Sequence, residues 1–175
     1  MTSMHRGRRL LIFGIISGLI VAADQVTKYL IMAGLPMNSG LTVVPGFFDL
    51  IHVRNTGAAF GIGADSGWSF RGGFFILMSF AVMAVIIWMM IAGPVADMLL
   101  VIAYALFFGG AVGNLVDRLR FGAVIDFIDL HWGDLHWPAF NVADSALCVG
   151  VALFFVHFLL AKDTVRVDTG SRGEK

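Results

Sequence analysis

Four apolar runs, residues 10–35, 74–92, 98–116 and 139–161, each approach the about 20 residues that a helix needs to cross roughly 30 Å of hydrocarbon. Inside a bilayer every backbone N–H and C=O must be satisfied within the segment itself, so runs of this length cross as helices. The expected fold class is therefore an integral membrane α-helical protein with four transmembrane helices. Composition agrees: with 58% hydrophobic residues, 14% charged residues and 16 Phe in 175 residues, a soluble domain has too much apolar surface to cover. The formal net charge is zero, with no clustered basic surface for a nucleic acid to engage. The first run has a rival reading, because a basic start followed by Val21-Ala22-Ala23 resembles a secretory signal peptide and its cleavage site. The helical pattern continues past Ala23 through Asp24, Lys28 and Leu30, which favours a retained span.

The positive-inside bias sets an expected orientation. His5, Arg6, Arg8 and Arg9 precede the first run, and Lys162 and Arg166 follow the last, so both termini are expected in the cytoplasm. The inner connection, Gly93 to Asp97, has no Lys or Arg and is silent on the matter. The ends of the first and third helices, the start of the fourth and two long loops then share the outer side. The first loop, 36–71, is too long for a simple connection. Its segment LTVVPGFFDLIHVRN reads as two short strands and a turn, followed by Gly57, Gly61, Gly63 and Gly67. In the second loop, Phe121 to His131 alternates as a short strand, and Trp132 and Trp137 suit the headgroup region. A small extracytoplasmic sheet at the membrane surface is expected. Residues 1–162 form a single membrane-embedded domain in this reading, and 163–175 a disordered polar cytoplasmic tail. Cys148, the single cysteine, lies in an apolar run and reads as a core packer.

Polar groups at the rim of a span are costly unless used, and here they concentrate between Gly109 and Asp144. Asp126, on a strand-like segment, and Asp144, just inside the fourth helix, are brought to one side by the expected topology. Two carboxylates a few ångströms apart do not both ionise easily, so one keeps a proton while the other acts as base. Such a dyad activates a water against a peptide carbonyl. The alternative is a set of solvated or individually paired carboxylates. Asn141 lies three residues before Asp144 on the same face. Asp24 and Lys28 are four apart on the first helix and read as a structural ion pair. Asn55-Thr56-Gly57 reads as a tight turn or as a wall for an extended peptide. Asn114 and Arg118 share a face of the third helix, where Gly109, Gly110 and Gly113 allow close packing. Asp117 reads as a partner for an arginine or a cap on a backbone group. Asp129, His131, Asp134 and His136 carry metal-ligating groups, but their spacing matches no tight ligand motif, so no metal is expected. A proton-coupled transporter and a non-enzymatic lipid- or peptide-binding scaffold are the competing functional classes; the lack of an internal repeat weighs against the first.

Five blocks in order carry a resemblance: Asp24-Gln25 with Lys28; Asn55-Thr56-Gly57-Ala58-Ala59-Phe60; Gly109-Gly110-Ala111-Val112-Gly113-Asn114 leading to Asp117-Arg118; Val124-Ile125-Asp126-Phe127; and Phe140-Asn141-Val142-Ala143-Asp144. Together they resemble the lipoprotein signal peptidases, the bacterial signal peptidase II family. The resemblance implies an aspartic endopeptidase of the bacterial inner membrane. Such an enzyme removes the signal peptide from a prolipoprotein before a cysteine already carrying diacylglyceryl. It implies Asp126 and Asp144 as the catalytic pair, with Asp24, Lys28, Asn55, Gly110, Asn114, Arg118, Asn141 and Ala143 in support. It further implies no metal or other cofactor, an active site at the outer face, a membrane-lipid environment and inhibition by the cyclic peptide globomycin. A monomer is expected.

Overall fold

The computed structural model describes residues 5–57, 69–92 and 97–170, and the side chains of 5–57, 72–92 and 97–160. The elements are helix α1 (Arg6–Gly34), strands β1 (Gly40–Val44) and β2 (Phe48–Asn55), helices α2 (Ser69–Ala92) and α3 (Met98–Phe121), strands β3 (Val124–Trp132) and β4 (Leu135–His136), and helix α4 (Val142–Gly170). The four helices are each long and apolar enough to cross a membrane. The expected glycine-rich stretch from Ala58 onward and the inner connection 93–96 lie outside the described residues.

α3 is the hub. About 61% of its apolar stretch is buried, against 11–17% for the other three helices, so α1, α2 and α4 pack on it and turn their outer faces to lipid. Ile86 and Met90 of α2 meet Leu100, Val101 and Tyr104 of α3 in the apolar core. On the other side Ser17 Oγ of α1 donates to the Ala105 carbonyl at 3.1 Å. The Asp97 side chain caps the start of α3, accepting from Leu100 N at 3.0 Å, and His157 Nδ1 of α4 lies 2.8 Å from Asp97 Oδ2. α3 ends at Gly122, whose φ of 70° lets its N–H return to the Arg118 carbonyl.

The strands form one antiparallel sheet in the order β1-β2-β3-β4. β1 and β2 are the hairpin expected around Pro45-Gly46, with Gly46 at φ 76°. β2 and β3 pair Val53 with Asp126 and Asn55 with Val124. The start of β3 departs from the alternation read in the sequence: Val124, Ile125, Asp126 and Phe127 are all buried, because the segment lies against the helix ends with both faces covered.

Several boundaries differ from expectation: α1 begins at Arg6 rather than Leu10 and α2 at Ser69 rather than Phe74, because a helix continues through polar residues beyond the apolar run. α3 continues five residues past Val116, carrying Asp117 and Arg118 as helical residues. α4 starts at Val142 rather than Ala139, because Phe140 is bonded in extended form to Ile128, its N–H to the Ile128 carbonyl and its carbonyl from Ile128 N. α4 also runs on to Gly170, past the expected end at Ala161, with no Gly or Pro between Gly150 and Gly170 to stop it, so the tail expected to be disordered from Asp163 is helical as far as Gly170. Cys148 corrects another expectation: it is exposed on α4, on the lipid side rather than in the protein core.

Candidate active site

The site is assembled where α1 and α3 end, α4 begins and β2–β3 cross over them. α4 opens with a reciprocal cap. The Asn141 side-chain oxygen accepts from Asp144 N at 2.9 Å, and Asp144 Oδ2 accepts from Asn141 N at 3.2 Å. This is the capping-box arrangement, with Asn at the cap and a carboxylate three residues on, and it fixes the Asp144 side chain against the helix end. The next free N–H of that end, from Ala143, goes to Asp24 Oδ1 of α1 at 2.9 Å. Two carboxylates therefore sit at the positive end of the α4 dipole.

Asn141 joins the two aspartates. Its Nδ2 donates to Asp126 Oδ1 at 2.8 Å, within reach also of the Ile125 carbonyl at 3.2 Å and Asn114 Oδ1 at 3.3 Å. Asp126 Oδ2 accepts from Asn55 Nδ2 of β2 at 3.0 Å, and Asp144 Oδ1 from Asn114 Nδ2 of α3 at 2.7 Å. Asn55 is held in turn by Gly57, whose N–H donates to the Asn55 oxygen at 2.8 Å across a turn that needs the φ of 80° at Gly57. Asp126 is 2% exposed. Burial pushes its carboxyl up to about 6, hydrogen bonds from Asn55 and Asn141 and the Lys28 charge hold it down, and the negative charge of Asp144 adds to the rise.

Beneath the pair lies a dry ionic cluster. The Lys28 ammonium contacts Asp24 Oδ2 at 2.9 Å, Asp117 Oδ2 at 2.7 Å and Asn114 Oδ1 at 3.2 Å, one acceptor for each of its three protons. Asp117 Oδ2 also accepts from Ile125 N at 3.1 Å. Lys28 thus acts on both aspartates: through Asn114 on Asp144, and through Asp117 and the Ile125 backbone on the residue next to Asp126. Gln25 Nε2 lies within hydrogen-bond distance of Asp24 Oδ2, the Gly113 carbonyl and Asp117 Oδ1, at 2.9 to 3.2 Å. Helix α3 approaches this cluster closely enough that only glycine fits. A Cβ at Gly113 lands 2.6 Å from Asp24 Oδ2, and one at Gly110 lands 2.6 Å from the Ala143 carbonyl.

The ten residues singled out in the sequence meet here, and nine of them take part in the network or pack directly against it. Arg118 stands apart from the hydrogen bonds. Its guanidinium lies over the Phe75 ring at 5.3 Å, and with Phe75, Ser79, Asn114 and Asp144 it lines an open pocket of about 250 Å³. Asp117 caps a backbone N–H, one of the two roles read for it, but its ionic partner is Lys28 rather than an arginine. Gln25, named in the sequence only beside Asp24, carries no expected role there, and Phe75 is not singled out at all. Gln25 neighbours Asp24, and an uncharged amide beside an acid is the signal that was available; Phe75, in an all-apolar run, gave none. Among the described residues, the charged groups of the site gather at one end of the bundle, and Asp97 with His157 lies at the other.

Comparison with known proteins decides what this arrangement belongs to. The family model for signal peptidase (SPase) II matches residues 16–160. The chain belongs to the signal peptidase II family. It is 49% identical over 142 residues to a lipoprotein signal peptidase of Syntrophotalea carbinolica, covering 81% of this chain and 87% of that one. It is 47% identical over 156 residues to a lipoprotein signal peptidase of Oleidesulfovibrio alaskensis, covering 88% and 97%. A solved bacterial membrane enzyme superposes with a TM-score of 0.76 at 33% identity, covering 90% of this chain and 96% of that one. Within a signal peptidase II frame, the four-helix bundle with its small sheet is the expected fold.

Proposed function

We propose that Asp126 and Asp144 are the catalytic pair with which this signal peptidase II, an aspartic endopeptidase, cuts a prolipoprotein just before its diacylglyceryl-modified cysteine. The observation that carries the reading is Asn141, a single residue that hydrogen-bonds both carboxylates; burial pushes one of them, Asp126, up to about 6.

The pair shares one proton. The ionised carboxylate takes a proton from water, and the resulting hydroxide attacks the scissile carbonyl carbon. The protonated carboxyl gives its proton to the carbonyl oxygen. Collapse of the tetrahedral diol breaks the C–N bond: the proton taken from water goes to the leaving nitrogen, and a diol hydroxyl returns its proton to the carboxylate that had protonated the carbonyl oxygen, which restores the shared proton. The products are a signal peptide with a new carboxylate and a lipidated cysteine with a free amine. Asn55, Asn114 and Asn141 hold the carboxylates in place, so no side chain has to reorganise as charge moves. Asp24, Lys28 and Asp117 fix the asparagines and the start of β3.

The substrate arrives anchored by its own apolar signal helix and two acyl chains. An apolar groove of about 380 Å³ between α2, α3 and α4, lined among others by Val85, Met89, Phe107 and Phe154, shares Val82 with the pocket at Asp144 and offers lipid chains a path to the site. The orientation expected from the flanking arginines puts the site at the outer face of the inner membrane. Globomycin is expected to occupy the same pocket, and the enzyme to act as a monomer.

The test is cleavage of a purified diacylglyceryl-modified precursor, with the released fragments weighed. Support is a new N-terminus at the lipidated cysteine and suppression by globomycin. Binding of the lipopeptide without turnover in a single-turnover experiment counts against the proposal and in favour of a scaffold.

A further inference from the structure

Phe121, the last residue of α3, has two guanidinium groups against its ring. Arg54 Cζ of β2 lies 5.4 Å from the ring centroid and Arg120 Cζ of α3 lies 4.9 Å from it. The two charges are thus within about one Debye length of each other, roughly 10 Å at 0.1 M salt, and repel. Neither forms an ion pair with a carboxylate among the described residues, although aspartates crowd the network next to them. The ring face and the negative C-terminal end of α3 offset part of the repulsion. Both side chains remain exposed, and their donors are free to meet an anion.

Their height in the membrane narrows the choice of anion. α3 has 24 residues, which at about 1.5 Å each makes it longer than the roughly 30 Å hydrocarbon core. Its last turn therefore emerges into the headgroup layer. Leu119, between the two arginines of that turn, is 60% exposed, as a side chain facing acyl chains would be. An apolar side chain directed at lipid beside an unpaired guanidinium matches a phospholipid, with tails below and phosphate above. Arginine's planar fork suits two phosphate oxygens. In the proposed orientation these arginines lie on the outer side, against the positive-inside bias, so a local anion is the more needed.

We propose that Arg54 and Arg120, braced on Phe121, bind the phosphate of an anionic phospholipid of the outer leaflet at the lip of the active site. The position is distinct from the carboxylate pair and from the pocket at Asp144. Arg54 directly precedes Asn55, so the bound lipid would clamp β2 to the end of α3 beside the site. The choice of leaflet rests on the orientation proposed above; the binding itself does not.

The full chain in neutral detergent, titrated with water-soluble short-chain phosphatidylglycerol, tests it by thermal shift, with phosphatidylcholine and inorganic phosphate as separate arms. Phosphatidylglycerol is expected to raise Tm saturably, phosphatidylcholine at least about fivefold more weakly, and inorganic phosphate not at all over the same range. Arg54→Gln/Arg120→Gln is expected to weaken the phosphatidylglycerol response at least fivefold while keeping lipopeptide cleavage in neutral detergent near the parent rate. Arg120→Gln alone, at an exposed helix end, serves if the double variant does not fold. An unchanged midpoint in a folded variant, or equal responses to the two lipids, overturns the proposal. A response to inorganic phosphate that equals that to the lipid overturns its lipid character.

Discussion

Lys28 shows why single residues matter so much here. Its ammonium is 1% exposed and is balanced by two carboxylates and an amide oxygen. Replacing a buried ion pair with apolar residues is often tolerated, whereas removing one partner leaves an uncompensated charge and costs about 3–5 kcal/mol. Lys28→Met is expected to lower stability by that order, read as a lower Tm in detergent, and to cut activity with it. Asp126 carries a second residue-scale consequence. Its folded-state value of about 6 lies above the ordinary 3.8, so the folded protein holds this proton more tightly than the unfolded chain. The resulting stability is fully present below pH 3.8 and is lost as pH rises through 6. Asp126→Asn cannot ionise and escapes that loss. The Tm difference between Asp126→Asn and the parent is expected to be more positive at pH 8 than at pH 5. For the parent, kcat/KM reports the free enzyme and is expected to fall on the alkaline side from about pH 6 or above, as the shared proton leaves the pair. A rate independent of pH from 5 to 9 contradicts the dyad.

Among elements, α3 and the start of α4 do most to place the chemistry. Gly113 and Gly110 let α3 close on Asp24 and on the α4 backbone. Gly113→Ala drives a methyl group into the Asp24 carboxylate, where overpacking costs about 1–3 kcal/mol. Activity is expected to fall at least tenfold, with a lower Tm, and an unaffected Gly113→Ala enzyme contradicts the close approach. The start of α4 was legible in part. Asn141 and Asp144 are read in the sequence as three apart on one helical face, with the helix expected from Ala139 and so with Asn141 inside it rather than at its cap. Their reciprocal cap was not legible, because it depends on Phe140 being held extended by Ile128. Helix limits were misread for a related reason: hydropathy marks where lipid ends, whereas a helix ends where its backbone is stopped, at Gly122 for α3 and not before Gly170 for α4. Cys148 was misplaced because a lipid-facing and a core-facing position are equally apolar in sequence.

At the scale of the whole molecule, fold class and helix number followed from run length alone, since the bilayer leaves few ways to satisfy a buried backbone. The convergence of residues as far apart as Asp24, Asn55, Asn114, Asp126 and Asp144 was legible only because an alternating topology returns their segments to one side. Gln25 and Phe75, which complete the site, required the packed structure. The topology is itself testable. In a Cys148→Ser background, Asp134→Cys in the β3–β4 turn is expected to react with a membrane-impermeant maleimide added to intact spheroplasts. Arg6→Cys is expected to react only after lysis, and the reverse pattern refutes the orientation. The most direct test of the central claim is the cleavage rate of a diacylglyceryl-modified precursor by purified Asp126→Asn and Asp144→Asn, each first shown to be folded. A loss of at least about 10³-fold in both is expected, because neither carboxylate alone both accepts and donates the proton. Cleavage within tenfold of the parent by either folded variant contradicts the account.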